Sequence, residues 1–257
     1  MTLARQIWLI AFRSLVRTLR QPGTVIPPLT FPLMLMAVNS SGLRAATHLP
    51  GFPTESFLAF FIPFSFIQGA LFASGIAGTD LAKDIDTGFM NRLALTPMHG
   101  AALLLGQLGG AVGLGVIQAV IYLFVGIAAG VDIRAGVGGA LLILVLATLI
   151  CSGFGALGLW MALRTGSTEG VQSQFPLLFF FTFVSSMNLP RNLIEVDWFR
   201  DVATVNPVSY MIEGIRSLVI EGWNAQALAL AFGVSLGLVL VSMWLSARAL
   251  RVRMART

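Results

Sequence analysis

The chain has 257 residues, of which 56% are hydrophobic and only 11% are charged, whereas about a quarter of the residues are charged in an ordinary soluble domain. So much apolar surface cannot be buried in one water-soluble core, so the composition excludes a soluble globular enzyme and indicates a multi-pass membrane protein. The net charge of +5 comes from residues at the ends of apolar runs, which membrane orientation explains better than nucleic acid binding does.

The first twenty residues predict a basic amphipathic helix. Four arginines fall within an arc of about 120° at 3.6 residues per turn, and these are Arg5, Arg13, Arg17 and Arg20. Such a helix lies on a membrane rather than across it. The alternative is a basic flank that only anchors the first span. Because the arginines interrupt any signal-peptide core, we expect the mature chain to begin near Met1.

Six apolar runs predict membrane spans. They lie near residues 24–43, 57–79, 100–130, 137–163, 171–187 and 225–247. The third is longer than the roughly 20 residues that a bilayer requires, so we expect it to tilt or to project from the membrane. The fifth is short and leads into a polar stretch.

The basic residues predict the orientation of these spans. If both termini and the loops 80–99 and 164–170 are cytoplasmic, that side carries eleven Lys and Arg residues and the other side carries five. The positive-inside rule therefore places both ends in the cytoplasm, which requires an even number of crossings.

No catalytic or metal-binding pattern is evident in the sequence. No phosphate-binding G-x-x-x-x-G-K-[ST] loop surrounds Lys83, the single lysine. Both histidines, His48 and His99, lie outside the predicted spans, so no base is expected there to activate Ser152 as a nucleophile. The spans also contain no Asp, Glu, Lys or Arg, which disfavours an ion-coupled carrier. We therefore expect the energy for any transport to come from another protein.

The polar segment 80–99 follows the second span. Asp86 or Thr87 can cap a short helix, and Pro97 would end it. A short capped helix on a polar loop suits docking to another protein, but an ordinary charged connector fits the same pattern.

Two segments carry a resemblance to a known family. They are Asp86-Thr-Gly-Phe-Met-Asn-Arg-Leu-Ala-Leu-Thr-Pro97 and Asn206-Pro-Val-Ser-Tyr-Met-Ile-Glu-Gly-Ile-Arg-Ser-Leu218. With these segments in place after the second span and before the last, the chain resembles a permease subunit of the type-2 ABC exporters, the group that contains daunorubicin-resistance and nodulation-factor permeases. The order of elements matches over nearly the whole chain.

This resemblance implies an all-α membrane protein with one permease domain over residues 1–257. Six transmembrane helices would be accompanied by an interface helix at 1–20 and re-entrant helices at 188–224. The segment 80–97 would contain the coupling helix that docks on a separate ABC ATPase. The matching positions are Asp80, Asp84, Asp86, Gly88, Arg92, Leu93, Thr96 and Pro97.

The resemblance also implies an assembly. Two ATPase subunits would join this chain and a second permease chain, with a homodimer favoured over a heterodimer, in the cytoplasmic membrane of a bacterium. ATP and Mg²⁺ would bind to the ATPase, so the permease itself would be no enzyme and would need no cofactor.

Residues 188–224 mix charged side chains with Leu, Ile, Val and Trp. In the family this region re-enters the membrane from the outer side, which is possible only where the backbone is buried in protein or lines a water-filled cavity. The outer-gate positions that we assign are Asn206, Pro207, Tyr210, Glu213 and Arg216. Glu213 and Arg216 are three residues apart and are predicted to pair on one helical face. An exposed amphipathic helix is the alternative.

Phenylalanine is concentrated in the second and fifth predicted spans. If these helices line the transport path, an apolar path favours hydrophobic or amphipathic cargo, either drug-like, lipid or lipid-linked. The path positions that we assign are Phe60, Phe64, Gln68, Phe179 and Phe183. Exposure of the phenylalanines to lipid is the alternative explanation.

Small residues in the third span predict close helix packing without identifying the partner helix. The pairs are Gly106 and Gly110, Gly109 and Gly113, and Gly126 and Gly130. Two other functions remain open at this point, a nucleotide-independent channel or carrier and a membrane scaffold without cargo.

Overall fold

A computed structural model of the chain describes residues 2–90 and 99–254, and these ranges contain helices but no strands. The α-helices are α1 (Leu3–Leu19), α2 (Pro22–Gly42), α3 (Phe57–Asp86), α4 (Gly100–Ala128), α5 (Gly136–Thr165), α6 (Thr168–Gln172), α7 (Phe175–Phe183), α8 (Asp197–Val205), α9 (Pro207–Ile220) and α10 (Ala225–Met254). Two 3₁₀ segments, Arg44–His48 and Arg191–Leu193, lie before α3 and α8.

Five of these helices are long and apolar enough to cross a membrane, namely α2, α3, α4, α5 and α10. They correspond to five of the six predicted spans. The fifth predicted span, 171–187, does not form one long helix, because α6 ends at Gln172 and α7 covers only Phe175–Phe183. Pro176 in the first turn of α7 has no N–H to donate backward, which favours a new helix start there. A sixth crossing therefore remains a prediction.

Helix α3 is the centre of the bundle, and nearly all its residues are buried. Helices α2, α4, α5 and α9 pack around it. The contact with α5 is very close, since a Cβ atom added to Gly158 would lie 1.9 Å from the carbonyl oxygen of Ser74. Glycine at this position permits the two backbones to approach each other, as small residues commonly do between membrane helices.

The glycines of the first half of α4 pack against α1. A Cβ at Gly106 would lie 2.5 Å from the Cβ of Ile10, and one at Gly110 would lie 2.5 Å from the Cβ of Ser14. From the first contact to the second, the residue number rises by four in both helices, so α1 runs beside α4 in the same direction. The structure thus identifies the partner of the predicted glycine pairs in this half of the helix.

A proline-rich segment of α2 is tied to α4. Pro32 lies inside α2 and cannot donate to the carbonyl of Pro28 four residues earlier. The hydroxyl of Tyr122 in α4 donates a hydrogen bond to that carbonyl. This side chain therefore satisfies a backbone acceptor that would otherwise be costly in an apolar environment.

One end of the bundle collects basic residues, and we call it the basic end. Helices α3, α5 and α10 end there and α4 begins there: a Cβ at Gly100 would lie 3.2 Å from Leu250, and Arg253 donates to the carbonyl of Leu163 at 3.0 Å. Two arginines at this end lie over tryptophan rings, Arg164 over Trp160 and Arg248 over Trp244. Such amphipathic aromatic residues are typical of the membrane–water interface.

Candidate functional site

The carboxylate of Asp84 connects three helices at the basic end. Its side chain is only 6% exposed and lies in the last turn of α3. Asp84 accepts hydrogen bonds from the guanidinium groups of Arg13 and Arg17, at 2.5 and 3.0 Å. It also accepts one from the amide nitrogen of Gln107 in α4, at 2.6 Å. We call Asp84, Arg13, Arg17 and Gln107 the Asp84 cluster.

Asp80 lies one turn earlier on the same face of α3 and also contacts α1. Its carboxylate accepts a hydrogen bond from the hydroxyl of Thr18 at 3.2 Å and a longer one from Ser14 at 3.5 Å. Thr18 and Ser14 are themselves buried. The two carboxylates therefore hold the inner face of α1 against α3 and α4.

The segment predicted to couple with an ATPase begins beside this cluster. Helix α3 ends at Asp86, and Gly88 adopts φ of +67°, a left-handed conformation that glycine accepts readily. The guanidinium of Arg13 lies 4.0 Å above the ring of Phe89, and Met90 is buried. Arg13 thus contacts both Asp84 and the residues that follow α3.

The assigned coupling residues separate into three groups. Asp80 and Asp84 face other parts of this chain, whereas Asp86 is exposed and Gly88 is half-buried just after α3. Lys83, which was not assigned, is exposed as well. Four further assigned residues lie outside the part of the chain that the structure describes, namely Arg92, Leu93, Thr96 and Pro97.

The four arginines of the predicted interface helix also separate. Arg13 and Arg17 are half-buried in the Asp84 cluster, while Arg5 and Arg20 are exposed. The amphipathic pattern of the sequence placed all four on one side, but it could not show which of them meet a carboxylate more than sixty residues away.

The assigned outer-gate residues lie at the opposite end of the bundle, around the start of α9. Asn206 caps α9 by accepting a hydrogen bond from the backbone N–H of Val208 at 2.9 Å. Its amide nitrogen donates to the carbonyls of Phe181 and Val184, at 2.5 and 2.9 Å. Asn206 therefore links the end of α7 to the start of α9. Pro207 occupies the first position of α9, where no N–H is needed.

The predicted pair between Glu213 and Arg216 is wrong. Glu213 forms a two-point ion pair with Arg191, which in turn lies 4.7 Å above the ring of Tyr210. Burial lowers the pKa of Arg191, but the hydrogen bond and the charge of Glu213 outweigh this effect and leave the pKa raised. Residues three apart on a helix can face one another, but here Glu213 finds its partner in the preceding 3₁₀ segment.

Arg216 points into the protein and is 6% exposed. It donates hydrogen bonds to the carbonyls of Phe60 and Met187, at 3.1 and 3.2 Å, and its guanidinium lies 3.5 Å above the Phe60 ring. The charge is therefore held by backbone oxygens and an aromatic face rather than by a carboxylate. This arrangement fastens α9 to the first turn of α3. The remaining gate residue, Tyr210, donates from its hydroxyl to the carbonyl of Thr204 at 2.7 Å.

The assigned path residues do not form one open surface. Phe60, Phe64 and Gln68 are fully buried in α3, while Phe179 is half-buried and Phe183 is 53% exposed. Within the described ranges the amide of Gln68 has no hydrogen-bond partner, and neither has that of Gln118 in α4. Any opening at this place requires helices to separate.

No three His, Cys, Asp or Glu side chains are grouped to hold a metal ion in residues 2–90 and 99–254. The described part of the site consists instead of helix-to-helix polar contacts at both ends of an apolar bundle. This arrangement suits a membrane protein that transmits motion between its two faces.

Comparison with known proteins agrees with this class. The chain matches the ABC-2 type transporter family over residues 5–220, and it belongs to that family of ABC transporter permeases. The daunorubicin resistance ABC transporter permease protein DrrB1 of Streptomyces coeruleorubidus is 27% identical over 228 residues, which cover 84% of this chain and 74% of the relative. The resemblance seen in the sequence is thereby confirmed, and the chain is an integral membrane permease subunit whose family implies an ABC ATPase partner.

Proposed function

We propose that the chain is the membrane-spanning permease of an ATP-driven exporter that moves a hydrophobic or amphipathic substrate out of the cytoplasm or out of the inner leaflet. It works with two ATPase subunits and a second copy of itself in the cytoplasmic membrane of a bacterium. Both termini are cytoplasmic, and the segment containing α6 and α7 completes a sixth crossing.

The Asp84 cluster is the observation that best supports ATP-driven coupling. It joins α1, α3 and α4 directly beside the segment that would dock on the ATPase, and Arg13 contacts Phe89 of that segment. A shift of the docked segment would therefore be passed to three helices together rather than to one. Rigid-body movement of packed helices is a common way to transmit such a change.

We assign docking on the ATPase and positioning of α1 to different residues. Exposed Asp86 and Lys83, with Gly88 and with the residues Arg92, Leu93, Thr96 and Pro97, meet the ATPase. Buried Asp80 and Asp84 hold α1 in place and do not themselves touch the partner. This division refines the assignment made from the sequence, and it rests on burial.

At the other end, α9 forms the outer gate. It is a 14-residue helix, about 21 Å long, and is therefore too short to cross a bilayer. Arg216 and Asn206 fasten it to α3 and α7, and the Arg191–Glu213 pair fastens it to the preceding 3₁₀ segment. Release of these contacts opens an exit from the apolar interior.

The substrate class is proposed from the interior of α3. Phe60 and Phe64 offer aromatic surface, and the unpaired amide of Gln68 offers two N–H donors and an acceptor oxygen. An apolar molecule with a few polar groups fits these features. The relative named for daunorubicin resistance is consistent with such cargo.

Reconstitution tests this function directly. The purified chain is inserted into liposomes with and without the ATPase encoded nearest to its gene, and efflux of a fluorescent amphipathic dye is followed after ATP is added. We expect ATP-dependent flux only with both proteins. Flux by the chain alone, unchanged by ATP, would instead establish a channel or carrier.

A pair of variants separates docking from positioning. Asp86→Lys is expected to reduce co-purification of the ATPase at least several-fold while leaving the thermal stability of the permease unchanged, because Asp86 is exposed. Asp84→Asn is expected to lower the thermal stability of the permease, because the buried Asp84 cluster loses its negative charge. Normal co-purification and normal ATP-dependent flux in both variants would refute the coupling role of this segment.

A further inference from the structure

The outer face of α1 carries an open groove, which shares Arg13 and Arg17 with the Asp84 cluster and extends beyond it along the helix. Its volume is about 570 Å³, and its lining includes Leu9, Phe12, Val16, Arg13, Arg17 and Arg20. These positions follow the helical spacing of three and four residues, so they form one continuous stripe. The adjacent face of α1, with Ile10 and Ser14, is packed on α4.

The charge of the groove is positive. Three guanidinium groups line it, and Asp84 is the carboxylate that pairs with two of them, which leaves a net charge of +2 by the count of three cations less one anion. Asp80 does not line the groove, because its carboxylate accepts hydrogen bonds from Ser14 and Thr18 on the inner face, but its charge also attracts Arg17. Arg20 is exposed and has no carboxylate partner among the residues that the structure describes.

The rest of the groove is apolar, and its surroundings are those of a membrane interface. Leu9 and Phe12 are 48% and 55% exposed, and Trp8, which is 67% exposed, stacks on Phe12 with ring centroids 6.2 Å apart. Large apolar side chains interleaved with arginine are typical of helices that contact lipid at the headgroup level. A surface that met only water would leave these large apolar side chains without a partner.

The level of the groove along the bundle also indicates the membrane–water interface. Arg13 and Arg17 reach Asp84, which lies within the last turn of α3 at the basic end. Towards the same end, Trp160 and Arg164 lie in the last two turns of α5, and Trp244 and Arg248 lie about two to three turns before the end of α10. Tryptophan beside arginine marks the level at which lipid phosphates are found.

We propose that this groove binds one anionic phospholipid of the surrounding bilayer. The lipid phosphate lies between Arg20 and the outward N–H groups of Arg17 and Arg13, and an acyl chain follows Leu9, Phe12 and Val16. The bound lipid shares two arginines with Asp84, so its occupancy adjusts how firmly α1 is held against α3. The inference requires that α1 meets the membrane, and it does not depend on ATP-driven export.

Lipid binding to the full-length chain in neutral detergent tests the proposal. Native mass spectrometry measures how much phosphatidylglycerol and phosphatidylcholine, added in equal amounts, remain bound. We expect one phosphatidylglycerol to be retained in clear preference. Arg20→Gln should weaken its binding about five-fold, the effect of losing one cation near an anionic headgroup, whereas Arg20→Lys should weaken it less.

Arg5→Gln provides the matched control, because Arg5 is an exposed arginine of the same helix that does not line the groove. It should leave retention unchanged. A second readout gives the location: phosphatidylglycerol brominated on its acyl chain should quench the fluorescence of Trp8, and Trp8→Phe should remove that part of the quenching. The substitutions at Arg5, Trp8 and Arg20 leave the Asp84 cluster intact, so these variants are expected to fold normally.

Four outcomes would overturn the proposal. Equal retention of phosphatidylcholine would mean an apolar slot without headgroup selection. An equal loss in Arg5→Gln and Arg20→Gln would mean diffuse attraction to negative surfaces. Displacement of the lipid by millimolar inorganic phosphate would mean a site for soluble anions. Displacement by the ATPase subunit would mean a protein docking surface.

Discussion

The ion pair between Arg17 and Asp84 allows the Asp84 cluster to be tested quantitatively. The perturbation is a double-mutant cycle with Arg17→Gln, Asp84→Asn and the combination of both. Gln and Asn keep most of the side-chain volume, so the cycle isolates the interaction between the two charges better than truncation to alanine would.

The expected magnitude follows from the burial of the two partners. Exposed ion pairs contribute about 0.2–1 kcal/mol, while breaking a fully buried pair costs about 3–5 kcal/mol. Asp84 is 6% exposed and Arg17 is 31% exposed, so the coupling should lie between these limits, at about 2 kcal/mol. Asp84→Asn alone should cost more than Arg17→Gln, because it also removes the charge that pairs with Arg13.

The assay is reversible unfolding of the purified chain in mixed micelles, with the free energy of unfolding obtained from the denaturing-detergent titration. The pair between Arg200 and Asp197 provides a control, because both side chains are exposed, at 43% and 81%, and lie three residues apart on α8. Its coupling should be at most about 0.5 kcal/mol. If the Arg17–Asp84 coupling is no larger than this control, the cluster does not hold α1 to α3.

Three further predictions concern helix packing. Gly158→Ala should destabilise the chain by about 1–3 kcal/mol, because the new Cβ would lie 1.9 Å from a backbone carbonyl of α3. Gly237→Ala has open space at its Cβ and should be neutral or slightly stabilising in the same unfolding assay; equal losses would contradict the close contact. In a cysteine-free background, Ala11→Cys with Gly109→Cys should form a disulfide under mild oxidation, seen as a shift in gel mobility. Their Cβ atoms would be 2.9 Å apart, and a small outward shift of α1 brings them to the roughly 3.8 Å of a disulfide; no crosslink would mean that α1 does not pack on α4. Tyr122→Phe should cost about 1–2 kcal/mol and speed amide exchange in α2, since it leaves the carbonyl of Pro28 without its donor; unchanged exchange would show that water or another group replaces it.

The sequence could predict those features that depend on neighbouring residues. Hydropathy over about 20 residues locates a span whatever surrounds it, and five predicted spans are long helices in the structure. The prediction was weakest at 171–187, where Ser173, Gln174 and Pro176 divide the apolar run into two short helices. The window average conceals such a break, because flanking phenylalanines keep the mean hydropathy high.

The partners of the charged residues depend on distant parts of the chain. The spacing of Glu213 and Arg216 permitted a pair, but Arg191 lay 22 residues away from Glu213 and was not assigned to the site at all. Likewise, the arginines of α1 and the aspartates of α3 were assigned separately, to a membrane surface and to a partner protein. Only the folded chain places them together, 67 and 71 positions apart.

Composition and apolar runs determined that this protein is a helical membrane protein, because burial in a bilayer constrains every residue of a span locally, and the resemblance of residues 86–97 and 206–218 to a known family identified it as a permease. The tertiary structure decided which polar groups meet: it turned Asp80 and Asp84 inward to α1, left Asp86 exposed, and matched the glycines of α4 to Ile10 and Ser14. Those contacts join helices far apart in the chain, and their geometry depends on how all the helices pack at once.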